Sequence, residues 1–384
     1  MKVFAPFKTI HSIYLKQQPC LSGFGQEVVK FLSVAPRSLG PMSTVLCDLG
    51  AWITYASRAP LTPIPKDEAD RVLRDATASA KQAHAIRSAS WWQTVEPMGR
   101  ALAGIPSQEA LPMHLVLGRE QPHSRVAGVR THRCPLTISG AGQVLRVEAP
   151  VELEEPVHVV GPGLYLLMRA TLAMPQLLPA IALNLCGTYE VHPENGTCLF
   201  DRPPLTDPES LAAFARKLPS GCTGRSHLQD ALALCTGRSR SPMETALALM
   251  LSLKRCDGGW ELPAPQLNRR VDLGPDAARA LGGQAHVFID LLWPEASIGI
   301  EYDSREHHSE RDRQLHDKRR QVACSLCGIE IVPWTPAIVN DEVTFGLACQ
   351  WLANRLEASF SWDTDHVEKR RWLRRALLGP HRFW

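Results

Sequence analysis

The chain has 384 residues, 45% of them hydrophobic and 21% charged, and carries a net charge of +3 at neutral pH. That much apolar material builds packed cores and excludes a disordered chain. So small a net charge excludes a polycation, leaving local basic patches as the route to any nucleic-acid contact.

At roughly 100–200 residues per domain, two or three domains are expected. No apolar run reaches the ~18 residues of a membrane span. Residues 1–23 are interrupted by Lys8, His11 and Lys16, so a signal peptide is not expected and the expected location is the cytoplasm. The eleven cysteines are odd in number and scattered, which reads as free thiols in a reducing compartment.

Along the chain, residues 67–89 carry Ala-rich helical spacing, which Trp91 and Trp92 interrupt. MHLVL (113–117) reads as a buried strand, and GVRTH (128–132) and 144–151 as two more. Residues 162–174 and 177–185 read as a helix pair, 189–208 as a Pro-rich loop, and 207–217 and 226–235 as short helices. His114, His123 and His132 are separated enough that the sequence implies no chemical relation among them, and nothing before Ser241 offers a catalytic set.

From Ser241 the signals sharpen. Ser241-Pro-Met-Glu244 combines an N-cap, a proline at the first helical position and an acid at the third, opening a helix to about residue 254. HVFIDLLW (286–293) and SIGIEYD (297–303) read as strands joined by a turn at Pro294. A charged helix over 309–327 stops at Gly328, IEIVPW (329–334) is a strand, and 340–358 is a helix. Cys324 and Cys327 lie at a helix end with no second such pair, which reads as packing and not as a zinc site.

Glu301 and Asp303 share one strand face. With a four-residue turn Asp290 lies across from Glu301, at a Cβ separation of about 4.5–5.5 Å; a three-residue turn would change its face. Carboxylates so close repel one another unless protonated or bridged by a cation. Oxygen ligands of this kind suit Mg²⁺ or Mn²⁺, which can polarise a phosphoryl oxygen and activate water. Glu244 is placed to add a further ligand. His307 or His308, just after the strand, is placed to act as a base, with His308 the choice. Lys318, Arg319 and Arg320 on the charged helix, and Arg371 and Arg374 in KRRWLRR (369–375), are candidate phosphate contacts.

Glu244 in SPMETALALML, Pro265-Gln266, Asp290 in FIDLLWP, Glu301-Tyr302-Asp303, His307-His308, Asp317 and Arg320, and GIEIVPW form one ordered set. The set resembles the very-short-patch-repair-like branch of the PD-(D/E)XK (restriction-endonuclease-like) nuclease superfamily over residues 241–336. The resemblance implies an α/β fold with a mixed sheet flanked by helices. It also implies a metal held by Asp290 and Glu301 with support from Glu244, and DNA as partner, with Gln266 near it. Asp303 stands where the superfamily name has Lys, and Ser304 follows where that branch usually has Gly.

MHLVLGREQPHSRVAGVRTHRCPL, VHVVGPGLYLLMRAT and ALNLCGTY (within 113–189) are similar to the C-terminal portion of AbiEi-type abortive-infection antitoxin proteins. The expected organisation is an N-terminal region of unclear fold (1–110), an α+β antitoxin-like domain (111–235), the nuclease-like domain (241–360) and a basic tail (361–384). Two functions follow as expectations. One is a metal-dependent endonuclease in repair or phage defence. The other is a non-catalytic antitoxin-like regulator that binds nucleic acid or a toxin partner.

Overall fold

The computed structural model describes residues 43–379, apart from 58, 123–124, 137–143, 149–152, 154, 173, 192–197, 304–310 and 363. Its first half alternates short strands with helices: β1 (Thr44–Leu46), α1 (Asp48–Ala56), β2 (Leu61–Pro63), α2 (Lys66–Arg74), α3 (Ala80–Ser88), α4 (Ser90–Ala103), β3 (Met113–Leu117), β4 (Val129–Arg133), β5 (Val144–Val147) and β6 (Val157–Val160). The six strands form one mixed sheet in the order β2-β5-β6-β1-β3-β4. β1 runs parallel to β6, and β3 parallel to β4. Because β1 and β2 belong to this sheet, the boundary expected at residue 110 runs through a single layer.

The helix expected over 67–89 is two helices. Ala76 leaves the helical path to bridge Ser43, and Ser79 caps α3 by accepting from the Gln82 N–H. Trp91 and Trp92 do not interrupt a helix; they open α4 and are buried in the larger hydrophobic core.

The helix pair appears as α5 (Pro162–Leu172) and α6 (Leu178–Cys186), followed by a two-stranded ribbon of β7 (Glu190–Val191) and β8 (Cys198–Leu199), then α7 (Pro208–Arg216) and α8 (Arg225–Ala233). The C-terminal half contains α9 (Pro242–Ser252), β9 (Gln266–Asp272), α10 (Pro275–Ala280), β10 (His286–Trp293), β11 (Ile298–Tyr302), α11 (Arg311–Leu326), β12 (Glu330–Trp334), α12 (Pro336–Asn340), α13 (Glu342–Arg355) and α14 (Val367–Leu378). Its four strands form a second mixed sheet, β12-β11-β10-β9, with β11 and β12 parallel and the other pairs antiparallel. The protein is thus mixed α/β, with two mixed sheets flanked by helices. No helix among the described residues is long and apolar enough to cross a membrane.

Two hydrophobic clusters hold this part together. The larger runs through both halves of the chain and includes Leu291, Trp293, Ile298 and Ile300. The smaller packs Val287, Ile289 and Leu292 against Ala277, Leu281, Ala323 and Cys324 of the α10–α11 side. Strand residues normally alternate faces with period two. Along β10 the odd residues 287 and 289 face the smaller cluster, whereas the odd residues 291 and 293 face the larger one. The phase therefore reverses at Asp290. β9 reverses at the same level: Val271 packs on the smaller cluster and Leu267 lies in the larger, with Asn268 between them in the left-handed region (φ 46°). Gly299 on β11 sits where a Cβ would come within 2.7 Å of Ile289 and 2.8 Å of Ile331, so the strand crosses this junction only without a side chain there.

The basic stretch expected as a tail is helical through α14 and buries Arg370, Leu373 and Leu377. Its packing is aromatic as well as aliphatic. The Arg370 guanidinium lies 4.7 Å from the Trp260 ring centroid, and Trp260 stacks on Phe360 at 5.0 Å.

Candidate functional site

Ser241 caps α9 as its sequence requires, its hydroxyl accepting from the Glu244 N–H at 3.1 Å. The Glu244 carboxylate turns inward. One oxygen accepts from the Arg240 backbone N–H at 2.8 Å and from the Asn268 side-chain amide. Burial pushes this carboxyl up to about 7, the nearby Asp290 carboxylate adds to the shift, and the hydrogen bonds oppose it.

β10 and β11 pair Trp293 with Ile298 and Leu291 with Ile300, so the turn is the four residues 294–297. Continued by one step, this register sets Asp290 opposite Glu301. On the other side Ile289 pairs with Arg269 and Leu291 with Leu267, which sets Asn268 opposite Asp290. One Asp290 oxygen accepts from the Tyr302 N–H at 3.1 Å. Burial raises this carboxyl too, against the pull of that N–H and of Arg320 and Arg240. Glu301 accepts from the Arg320 guanidinium, which also donates to the Phe288 carbonyl. Burial pushes Glu301 up to about 7; Arg320 opposes this, while Asp290 and Asp317 reinforce it. Helix start, central strand and hairpin partner thus deliver three carboxyl groups to one region, where the Asp290 charge acts on both glutamates.

The other expected site residues lie elsewhere. Asp303 is exposed beyond the end of β11, its backbone N–H bonded to the Trp334 carbonyl. His308 lies outside the described residues. Gln266 is half-buried at the start of β9, paired with Leu292. Lys318 and Arg319 are exposed on α11. Arg320, expected to contact phosphate, is turned inward onto Glu301. Arg371 forms ion pairs with Glu342 and Glu368. Arg374 lies over the Phe345 ring and donates to the Val339 carbonyl, because α14 packs onto the fold and does not extend from it.

Nor do Glu244, Asp290 and Glu301 close into a tight ligand set; their oxygens are drawn toward separate donors. Among the described residues, the group whose ligand atoms all lie within 4.8 Å of one another is Asp48, His114 and His132. The sequence shows no relation between these histidines, but the parallel pairing of β3 and β4 supplies one. Val116 pairs with His132 and His114 with Arg130, so both rings stand on one face, one diagonal step apart. They stack with centroids 5.0 Å apart and 19° between planes. Asp48 opens α1 at a positive φ of 46°. Its Oδ1 accepts from Arg169 of α5 at 2.6 Å, and its Oδ2 lies 2.9 Å from His114 Nδ1. Burial alone would raise the Asp48 carboxyl, but the His114 hydrogen bond and the Arg169 charge outweigh it and hold the group well below the usual carboxylate range. Burial, then His114, pushes His132 down to about 4. A histidine inside the apolar strand MHLVL was the available sequence signal, since burying its polar ring requires a partner.

No family model and no solved structure matches the chain. It is similar to a protein described as uncharacterized in each of two strains of Mycobacterium tuberculosis, with 26% identity over 203 residues, covering 49% of this chain and 68% of the relative.

Proposed function

We propose that residues 241–336 form the catalytic part of a metal-dependent phosphodiesterase of the restriction-endonuclease-like type, cutting DNA in repair or phage defence. The observation that carries this reading is the gathering of the buried Glu244 with the half-buried Asp290 and Glu301, two of the three carboxyls being pushed up to about 7. Perturbed acids gathered by separate elements are a recognised mark of functional sites. A Mg²⁺ or Mn²⁺ ion entering there would relieve their repulsion and supply the Lewis acid for phosphodiester hydrolysis. Asp290 and Glu301 are the ligands, Glu244 the support, and the exposed Lys318 and Arg319 the phosphate contacts. The test is nicking of supercoiled plasmid and cleavage of single-stranded DNA with Mg²⁺ or Mn²⁺, by wild type, Asp290→Asn and Glu301→Gln. Loss of cleavage in both variants is expected; equal cleavage by all three proteins, or none by wild type, overturns the assignment.

A second reading has its own observation. Arg320 already neutralises Glu301, and Leu315, Val322 and Leu326 leave an exposed apolar stripe along α11. These features favour a regulator that binds nucleic acid or a protein partner such as a toxin without turnover. It is recognised by salt-sensitive DNA binding, or a stable complex, in the absence of divalent ions.

A further inference from the structure

Asp48 Oδ2, His114 Nδ1 and His132 Nε2 form a triangle with sides of 2.9, 3.0 and 4.0 Å. Three points so spaced lie on a circle of radius about 2.0 Å. That is the length of a bond from zinc to an imidazole nitrogen or a carboxylate oxygen, about 2.0–2.2 Å. A single point therefore lies at coordination distance from all three atoms.

Protons serve the same arrangement less well. An imidazole nitrogen has one in-plane position, which holds either a hydrogen or a lone pair. His114 Nδ1 has two close neighbours, Asp48 Oδ2 at 2.9 Å and His132 Nε2 at 3.0 Å. With a hydrogen on Nδ1, one N–H must serve both neighbours. With a lone pair there, it accepts from His132 but faces the lone pairs of the Asp48 carboxylate. A cation at the point equidistant from the three atoms stands within bonding reach of each. Arg169 holds the other carboxylate oxygen, Oδ1, at 2.6 Å. That is the position of an outer partner that fixes a ligand's orientation, as such groups do around bound metals. Two imidazoles and one carboxylate suit first-row transition ions better than Mg²⁺ or Ca²⁺, which favour all-oxygen shells.

The geometry points to a second metal site in the N-terminal half of the protein, in which Asp48, His114 and His132 bind a first-row divalent ion of the Zn²⁺ class. The longest side, 4.0 Å, nearly spans the circle, so Asp48 and His132 lie on opposite sides of the ion with His114 between them. The remaining positions are left for water or small oxygen ligands, reached past the His132 side chain, which is 14% exposed. This site is separate from the acidic cluster and does not depend on the function proposed for it.

The test uses full-length protein stripped with chelator, titrated with Zn²⁺ by calorimetry and with Co²⁺ by visible absorption. Asp290→Asn, in which the acidic site is disabled, should bind one equivalent, and wild type at least one. His132→Ala, with folding checked by circular dichroism, should bind at least about ten-fold more weakly. The bound Co²⁺ should show nitrogen and oxygen ligation without a thiolate charge-transfer band. No uptake by wild type, undiminished uptake by a folded His132→Ala, or a thiolate band would each overturn the proposal. The Co²⁺ spectrum of wild type decides the matter if the variant does not fold.

Discussion

Alkaline pH should weaken the fold through its acidic cluster. Glu244 and Glu301 have carboxyls moved from the usual 4.5 up to about 7. The folded chain therefore holds these protons more tightly than the unfolded chain does. The associated stabilisation is complete below about pH 4.5 and is lost as the pH rises through about 7. At about 1.36 kcal/mol per pH unit, each carboxyl accounts for about 3 kcal/mol across that window. Glu301 is 22% exposed, so solvent screening removes only a minor part. The measurement is urea unfolding between about pH 5 and pH 8.5 for wild type and Glu301→Gln. The amide still accepts from Arg320 but cannot ionise. Any lost charge pairing appears as an offset, whereas the ionisation of Glu301 appears as a slope. Relative to wild type, the variant should gain about 2–3 kcal/mol between the two pH values. At high pH, Mg²⁺ at 100 times its Kd should return about 2.7 kcal/mol to wild type. A difference between the two proteins that stays flat with pH would refute the reasoning, because it would mean that Glu301 titrates alike in the folded and unfolded chains.

Arg320→Met removes the donor shared by Glu301 and the Phe288 carbonyl; it should cost about 2–4 kcal/mol at high pH and less at pH 5, measured by the same unfolding curves. Asp48 has the opposite sign: its depressed carboxyl lends stability above the unfolded value near 4 that is lost on acidification. Asp48→Asn should therefore destabilise by about 3 kcal/mol at neutral pH and flatten the acid limb of the stability profile. Trp260→Ala removes the ring between Phe360 and Arg370; a loss of about 3–5 kcal/mol in unfolding free energy is expected from denaturant curves, with faster hydrogen exchange along α14. Asn268→Ala deletes a donor to Glu244 at a left-handed position, so it should destabilise by about 2 kcal/mol and Asn268→Gly by less.

The hairpin was legible because its signals are local. Alternating β-formers bound a Pro-led turn, and the turn length alone sets Asp290 against Glu301. The start of α9 was equally local, a cap followed by a proline and an acid. The rest of the site depends on contacts that spacing does not encode. QLNRRVD lacks apolar alternation and gave no strand signal, yet as β9 it supplies Asn268. Arg320 lies three residues from Asp317 on a charged helix, and helical periodicity does not reveal that one guanidinium turns inward. His114 and His132 meet only because β3 and β4 run side by side, a pairing set by the whole sheet. The KRRWLRR stretch shows its charge plainly, but Arg370 packs on Trp260, far back in the sequence, and Arg374 on Phe345, on a different helix, contacts no local pattern announces.

The phase reversal in β10 makes the strand common property of two cores. Its first half is fastened from the α10–α11 side and its second half from the body of the protein, with Asp290 at the hand-over. A segment held in this way cannot open on one side without disturbing the other, so its backbone protection should approach that of global unfolding. The acidic groups then behave like fittings set into a structural beam. Ions and solvent must come to them through the surface near Glu301, because the strand that carries Asp290 does not swing out to meet them.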